Sequence, residues 1–318
     1  MDGHEWEDVV KYCQEYFLPT MKKFEERMVY YEGPELKRVE PMLHPGEREI
    51  IPNFHDESTF HGNDEKGSAW LQKDKQPLRK KGRGRNIHVS AFINSETGRL
   101  VLLDADSNVL RDSTKTIYPG TNGDAWWDCE QLLEQMKDAI DIFEAAHPNK
   151  QSLFIFDQSS AHASLPPDAL KAFEMNKSDG GKQRHLCDTI IPQSNPVVEH
   201  RGKIQKMILP DGKPKGLQRV LEERGFHVSH LRAKYSPVCP IEYQNCCMAR
   251  LLSQQDDLKN QPSILETFIQ SHGHECIFLP KFHCELNPIE MVSTLISKSI
   301  ANTLQFALVL GLVQVSLP

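Results

Sequence analysis

The chain has 318 residues, enough for a sizeable core and one or two domains. Its 37 basic and 44 acidic side chains leave a net charge of -7, which excludes a wholly basic nucleic-acid coat but not a local basic groove. The start, Met1 to Glu5, lacks the pattern of a signal peptide, and the apolar run from Phe306 to Val315 is too short to span a bilayer. Eight scattered cysteines form no regular disulfide framework, which points to a reducing cytosolic or nuclear setting.

From about Glu5 to Tyr31, Val9, Val10, Tyr12, Phe17, Met21, Phe24 and Met28 fall at helical spacing. They predict one or two amphipathic helices, bent at Pro19, within an N-terminal segment 1–48. Ile50 to Ser58 reads as a strand carrying the acid pair Asp56-Glu57, although Pro52 cannot donate to a sheet ladder. Asn86 to Ile93 and Arg99 to Leu103 read as antiparallel strands around a turn at Asn94 to Gly98. Trp126 to Ala146 is the clearest helix, with Trp127, Leu132, Leu133, Met136, Ile140 and Phe143 in period, Asp124 as N-cap and Pro148 past the end. Trp126 and Trp127 read as core rather than as a base-stacking platform.

Leu153 to Phe156 is a short apolar run that reads as a buried strand, and Asp157 follows it at once. A helix is predicted over about Asp168 to Met175, closing the first part of a core at 49–175. Residues 176–274 read as an insertion subdomain, rich in Gly, Lys and Pro up to Lys215. Helical patterns follow at Leu217–Arg224, Tyr243–Leu252 and Ser263–Gln270. Glu275 to Pro280 returns as a strand, and Pro288 suits the first turn of a helix that carries Glu290 and runs to about Leu304. The stretch 275–304 is thus a final strand and helix, and 305–318 an apolar tail.

Three acids therefore stand near element ends: Asp56, Asp157 and Glu290. In an open α/β sheet the carboxyl end of a central strand opens into the ligand crevice. A carboxylate there is costly to desolvate unless it meets a cation. Oxygen ligands of this kind suit a pair of Mg²⁺ ions, which can activate water and steady the leaving oxygen of a phosphoryl displacement.

The residues around these acids carry a resemblance. His55-Asp56-Glu57-Ser58-Thr59-Phe60, Phe156-Asp157-Gln158 with His162, and Leu286-Asn287-Pro288-Ile289-Glu290 resemble the three acidic motifs of DDE-type transposases. The nearest match is the mariner-like branch, and within it the long-insertion endonucleases found widely in fungal genomes. The resemblance covers about Pro52 to Glu290. It implies an RNase H-like mixed sheet in the order β-β-β-α-β-α, with a helical and irregular insertion before the last catalytic helix. It implies Asp56, Asp157 and Glu290 as catalytic ligands of two Mg²⁺ (or Mn²⁺) ions. Glu57, His162 and Asn287 would flank and position them. The partner would be DNA, as transposon ends or a target duplex, with a second copy of the chain as a candidate and no membrane. Transposition and recombination chemistry of this kind implies a nuclear location.

Two departures keep other readings open. No helix-turn-helix region precedes the core, and the Trp and basic run that commonly follow the family's Glu are replaced by a largely apolar tail with a single Lys298. The alternatives are a transposon-derived relic that binds nucleic acid or protein without cutting, and an RNase H-type nuclease acting on an RNA–DNA hybrid. Lys73, Lys75, Arg79, Lys80, Lys81, Arg83 and Arg85, with Gly82 and Gly84, read as a hairpin tip able to meet phosphates. Lys182, Arg184, Arg201, Lys203, Lys206, Lys213 and Lys215 form a sparser basic stretch, read as solvated surface. Cys187, Cys239, Cys246, Cys247, Cys276 and Cys284 lie among several histidines but lack paired C-x₂-C elements, so they read as free thiols rather than zinc ligands.

Overall fold

The computed structural model describes residues 3–62, 82, 84–120, 123–235 and 243–290. They form two compact units. One is built from Met1–Ser164 and Leu265–Pro318, the other from Leu165–Ile264.

The first unit is a mixed α/β body around one sheet. Its strands are β1 (Ile50–His61), β2 (Asn86–Asn94), β3 (Gly98–Arg99), β4 (Lys115–Ile117), β5 (Gln151–Phe156) and β6 (Glu275–Phe278). The spatial order is β6-β5-β1-β2-β3, with β4 also pairing with β2. β2 runs antiparallel to β1, whereas β5 and β6 run parallel to it and to each other. Parallel strands are buried on both faces, and all six residues of β5 are buried. That explains why Leu153 to Phe156 reads as a continuous apolar run rather than an alternating one.

Pro52 lies in the central strand without breaking it. β2 pairs with β1 only from Phe54 onward, so the start of β1 has an open side. Ile50 directs its amide to Arg27 O on that side at 2.8 Å. By alternation Pro52 faces the same way, where its missing N–H is tolerated.

Helices cover both faces. Helix α1 (Cys129–Ala146) and helix α2 (Ile264–Ser271) bury Leu132, Met136, Ile140, Phe143, Leu265 and Ile269 with Ile51, Phe92, Phe154 and Phe156. On the other face, Phe17, Met21, Phe24 and Met28 pack against Ile50, Leu153, Ile155, Ile277 and Leu279. That N-terminal segment is helical from Glu7 to Glu25, with a π turn at Cys13–Phe17 just before Pro19. A proline has no amide to close the helical ladder, and the π turn is where that mismatch is absorbed.

Several expectations need correction. Helix α1 starts at Cys129, and its cap is Asp128, which accepts from the amides of Glu130 and Gln131. Asp124 instead accepts from the Tyr118 amide. Trp126 lies outside the helix and is 64 % exposed, so it is not core. The strand expected at Arg99–Leu103 is broken: Leu100 donates to Phe92 O, and Val101–Leu103 turns away to pair with Val109–Asp112. No helix forms over Asp168–Met175. Only a 3₁₀ turn at Ala172–Glu174 is present, so the element order after β5 departs from β-β-β-α-β-α. Gln261 accepts from the Leu170 amide and donates to the Leu170 carbonyl, which withdraws both groups from a helical ladder.

The second unit has its own core of Leu170, Met175, Met207, Leu217, Val220, Leu221, Met248 and Leu252. At its centre Arg224 is fully buried and pairs with Asp257 through both terminal nitrogens, at 2.9 and 2.7 Å, while its Nε donates to Gln205 at 2.8 Å. Its helices are Leu217–Glu223, Met248–Ser253 and Asp256–Lys259, so the pattern expected from Tyr243 begins only at Met248. The unit also starts and ends earlier than composition suggests, because α2 contributes Leu265 and Ile269 to the sheet's core. Among the described residues no helix is long and apolar enough to cross a membrane. The described cysteines are all free thiols.

Candidate functional site

The geometry of the site follows from strand register. β1 and β5 run parallel with Phe54 beside Ile155. Carried two residues further, that register sets Asp56 level with Asp157, just past the end of β5. Alternation then sorts the neighbours of Asp56. His55 and Glu57 face the α1 side, in register with Phe92 and Ser90 on β2, while Asp56 shares the face of Phe54.

Glu290 reaches the same place from the other end of the chain. Beyond β6, Leu279 donates to Phe156 O at 2.8 Å and keeps the chain against β5. A 3₁₀ turn at Cys284–Leu286 then delivers Asn287, which is 1 % exposed. Its Nδ2 donates to His55 O at 3.0 Å, tying this segment to the backbone beside Asp56. Helical residues start at Pro288, and Glu290 lies on that first turn. Asp157, Gln158, Lys281, His283, Asn287 and Glu290 line one cleft of about 310 Å³.

The three acids sense one another. Burial and then the Glu290 charge, with smaller contributions from Glu57 and Asp157, push the Asp56 carboxyl up to about 7. Burial and the Asp157 charge raise Glu290 as well. Asp157 behaves differently. Burial opposes its ionisation, but the hydrogen bond and charge of His162 outweigh burial and hold it below the ordinary carboxylate range. His162 Nδ1 meets Asp157 Oδ1 at 2.5 Å, and its Nε2 lies 3.2 Å from Glu57 Oε1. Burial disfavours the imidazolium, yet these two carboxylates raise it to about 9. The arrangement is a buried imidazole spanning one acid from each of two neighbouring strands.

The expected site residues are therefore mostly brought together. Asp56, Asp157 and Glu290 converge electrostatically, and Glu57, His162 and Asn287 surround them. The three acids do not, however, form a tight cage. Among the described residues, groups with every ligand atom within 4.8 Å are His55–Glu57–His162 and His4–His283–Glu285. No cysteine belongs to either group. Lys73, Lys75, Arg79, Lys80, Lys81 and Arg83 lie outside the described residues. Arg85 is exposed and sits past the Asn86–His61 pair, six residues from Ala91, the partner of Asp56. That is about 20 Å along the strand. In the second unit Lys206 pairs with Asp188, Lys213 with Asp211, and the buried Lys215 with Glu223, so much of the sparser basic stretch is neutralised locally.

Three contributors escape sequence reasoning. Trp127, expected only as core, donates its indole N–H to Glu57 Oε1 at 2.9 Å. Lys281 is the lysine of the acidic cleft. His55 is fully buried and is held neutral by burial and by the charge of His162, to about 3. The pairing of Trp127 with Glu57 and the action of His162 on His55 join residues far apart in the chain, so no local spacing signals them.

Fold and site together define a mixed α/β protein with an acidic cleft beyond the ends of parallel strands. Comparison with protein-family models, curated proteins and solved structures finds no match for this chain.

Proposed function

We propose that this chain is a metal-dependent DNA strand-cleaving domain of the DDE transposase type, built on an RNase H-like sheet. The observation that carries the reading is the convergence of Asp56, Asp157 and Glu290 from two adjacent parallel strands and the turn after a third. Two further features support it: the first strand is central in the order β6-β5-β1-β2-β3, and neighbouring acid charge adds to burial in raising the proton affinity of Asp56 and of Glu290. Crowded carboxylates of this kind are stabilised by a cation. Their donor set, oxygen only and partly open to water, suits Mg²⁺ or Mn²⁺.

Asp56 and Asp157 would hold both ions, and Glu290 would complete one site. When bound, such a pair lowers the pKa of an attacking water or hydroxyl and stabilises the leaving oxygen of a phosphodiester. The protein's own groups do the positioning. His162 fixes the Asp157 carboxylate through one oxygen and keeps it ionised, leaving the other oxygen free. Asn287 anchors the turn that presents Glu290. Lys281, exposed at the cleft, offers a cation to a phosphate of the incoming strand. DNA as substrate implies a nuclear setting.

The test is nicking of supercoiled duplex DNA with Mg²⁺ or Mn²⁺ by the wild type and by Asp157→Asn. Metal-dependent nicking that Asp157→Asn abolishes supports the proposal. Equal inertness of both proteins, with duplex binding retained, assigns the chain to the non-cutting relic instead. Preference for an RNA–DNA hybrid over duplex identifies the hybrid nuclease.

A further inference from the structure

Beside the three acids, on the α1 face of the sheet, lies a second cluster that meets the proposed chemistry only through the contact of His162 with Asp157. We propose that His55, Glu57 and His162 form a buried binding site for one Zn²⁺ ion, or a divalent transition metal of similar chemistry, separate from any ions held by Asp56, Asp157 and Glu290. This site does not depend on whether the chain cuts DNA.

The ligand atoms are assigned by what their other ends do. Ser90 Oγ donates to Gln135 Oε1 at 2.7 Å, so it accepts from His55 Nε2, also at 2.7 Å. That leaves the His55 Nδ1 lone pair bare, and Nδ1 is buried without a hydrogen-bond partner. His162 Nδ1 is engaged by Asp157, which directs Nε2 toward the cluster, where it too lacks a well-aligned hydrogen bond. Glu57 Oε1 is positioned by the Trp127 indole. Each proposed ligand thus has an outer partner that sets its tautomer or orientation, as at protein zinc sites where a carboxylate or hydroxyl backs the ligating imidazole. Without a metal, His55 Nδ1 is an orphaned acceptor in a protein core, where unpaired polar atoms are costly and uncommon.

Spacing and charge agree. One ligand atom from each of the three residues lies within 4.8 Å of one from each of the others. His162 Nε2 and Glu57 Oε1 are 3.2 Å apart, close to the edge of about 3.3 Å that a tetrahedron with metal–ligand bonds near 2.05 Å requires. The Glu57 carboxylate offsets half the charge of a divalent ion, and Asp157, hydrogen-bonded behind His162, adds negative potential there, which eases burial. Imidazole donors favour zinc and its neighbours over Mg²⁺. The two histidines are 0 % and 1 % exposed, unlike His283 and Glu285 in the other three-residue group, so this is not a surface site.

The test uses the full chain stripped with a chelator and titrated with Co²⁺, then with Zn²⁺. With millimolar Mg²⁺ present to occupy the acids, we expect one equivalent of Co²⁺ to give the visible d–d absorption of a low-coordinate nitrogen–oxygen site, displaced by one equivalent of Zn²⁺. Ser90→Ala keeps all three ligands and should weaken binding about 10- to 100-fold, and Glu57→Gln should weaken it further. His283→Ala and Asp56→Asn should leave the Co²⁺ spectrum unchanged. Near-UV circular dichroism of each metal-free variant reports whether it folds, and Ser90→Ala decides the matter if Glu57→Gln does not. No stoichiometric Co²⁺ or Zn²⁺ binding by the wild type overturns the proposal. So does binding that His283→Ala removes and Ser90→Ala leaves intact.

Discussion

The charge crowding at Asp56 makes a prediction that runs against the usual effect of altering a site residue. Asp56→Asn should stabilise the metal-free protein. The ordinary value of 3.8 is displaced to about 7 by burial, Glu290 and the neighbouring acids. At about 1.4 kcal/mol per pH unit, that gap costs the folded state about 4 kcal/mol at pH 8. Water reaches part of the side chain, and screening reduces the expected figure to about 2–3 kcal/mol. The sign follows from linkage. An acid whose folded value is raised contributes its stability below the unfolded value of 3.8, and loses it progressively as pH rises to about 7. Asparagine keeps the shape and removes the charge. Urea denaturation in the presence of a chelator should place Asp56→Asn about 2–3 kcal/mol above the wild type at pH 8, with the gap under about 1 kcal/mol at pH 4.5. Titration of His162 is common to both proteins and cancels in the difference. Added Mg²⁺ should then stabilise the wild type and not the variant. A variant less stable at pH 8, or a difference that ignores pH, would refute the picture of Asp56 as an acid held against its neighbours' charge.

His162 has the opposite linkage. Raised from 6.5 to about 9, it contributes stability that is complete below 6.5 and lost as pH climbs through 9, so His162→Gln should flatten the alkaline decline in urea midpoints of the metal-free protein, by at most about 3 kcal/mol. Asn287→Ala removes the buried tether to His55 O and should cost about 1–3 kcal/mol in the same assay, with a matching loss of any nicking activity. Arg224→Met leaves Asp257 unpaired inside the second unit and should cost about 3–5 kcal/mol, read as early unfolding of that unit by limited proteolysis. Phe156→Ala opens the fully buried core beneath the site and should lower stability by about 3–5 kcal/mol.

What the sequence discloses here is what short-range pattern controls. The apolar run before Asp157 and the period of Leu132, Met136, Ile140 and Phe143 both correspond to elements found in the fold, because burial imposes period directly on the chain. The three acids stand out through their flanking motifs, and in the fold neighbouring acid charge raises Asp56 and Glu290. Legibility ends where tertiary contacts choose between equivalent local options. Asp124 and Asp128 are both plausible caps, and the tight turn to Tyr118 takes the first. Asp168 to Met175 has a helical look, yet both backbone groups of Leu170 are claimed by Gln261 from far along the chain. The pairing of Trp127 with Glu57, and of His55 with Ser90 and Gln135, likewise depends on which strand lies beside which.

The open side at the start of β1 bears on how this molecule avoids sticking to others. A bare strand margin is a template on which a foreign strand can add. Here the margin is short, Ile50 is already engaged by Arg27 and Met28, and Pro52 offers an intruder no donor. The N-terminal segment thus acts as a guard rail for the sheet as well as a lid for its core. Removing that segment would uncover Ile50, Leu153 and Ile155 together with the unpaired margin, which makes self-association the expected fate of a shortened chain.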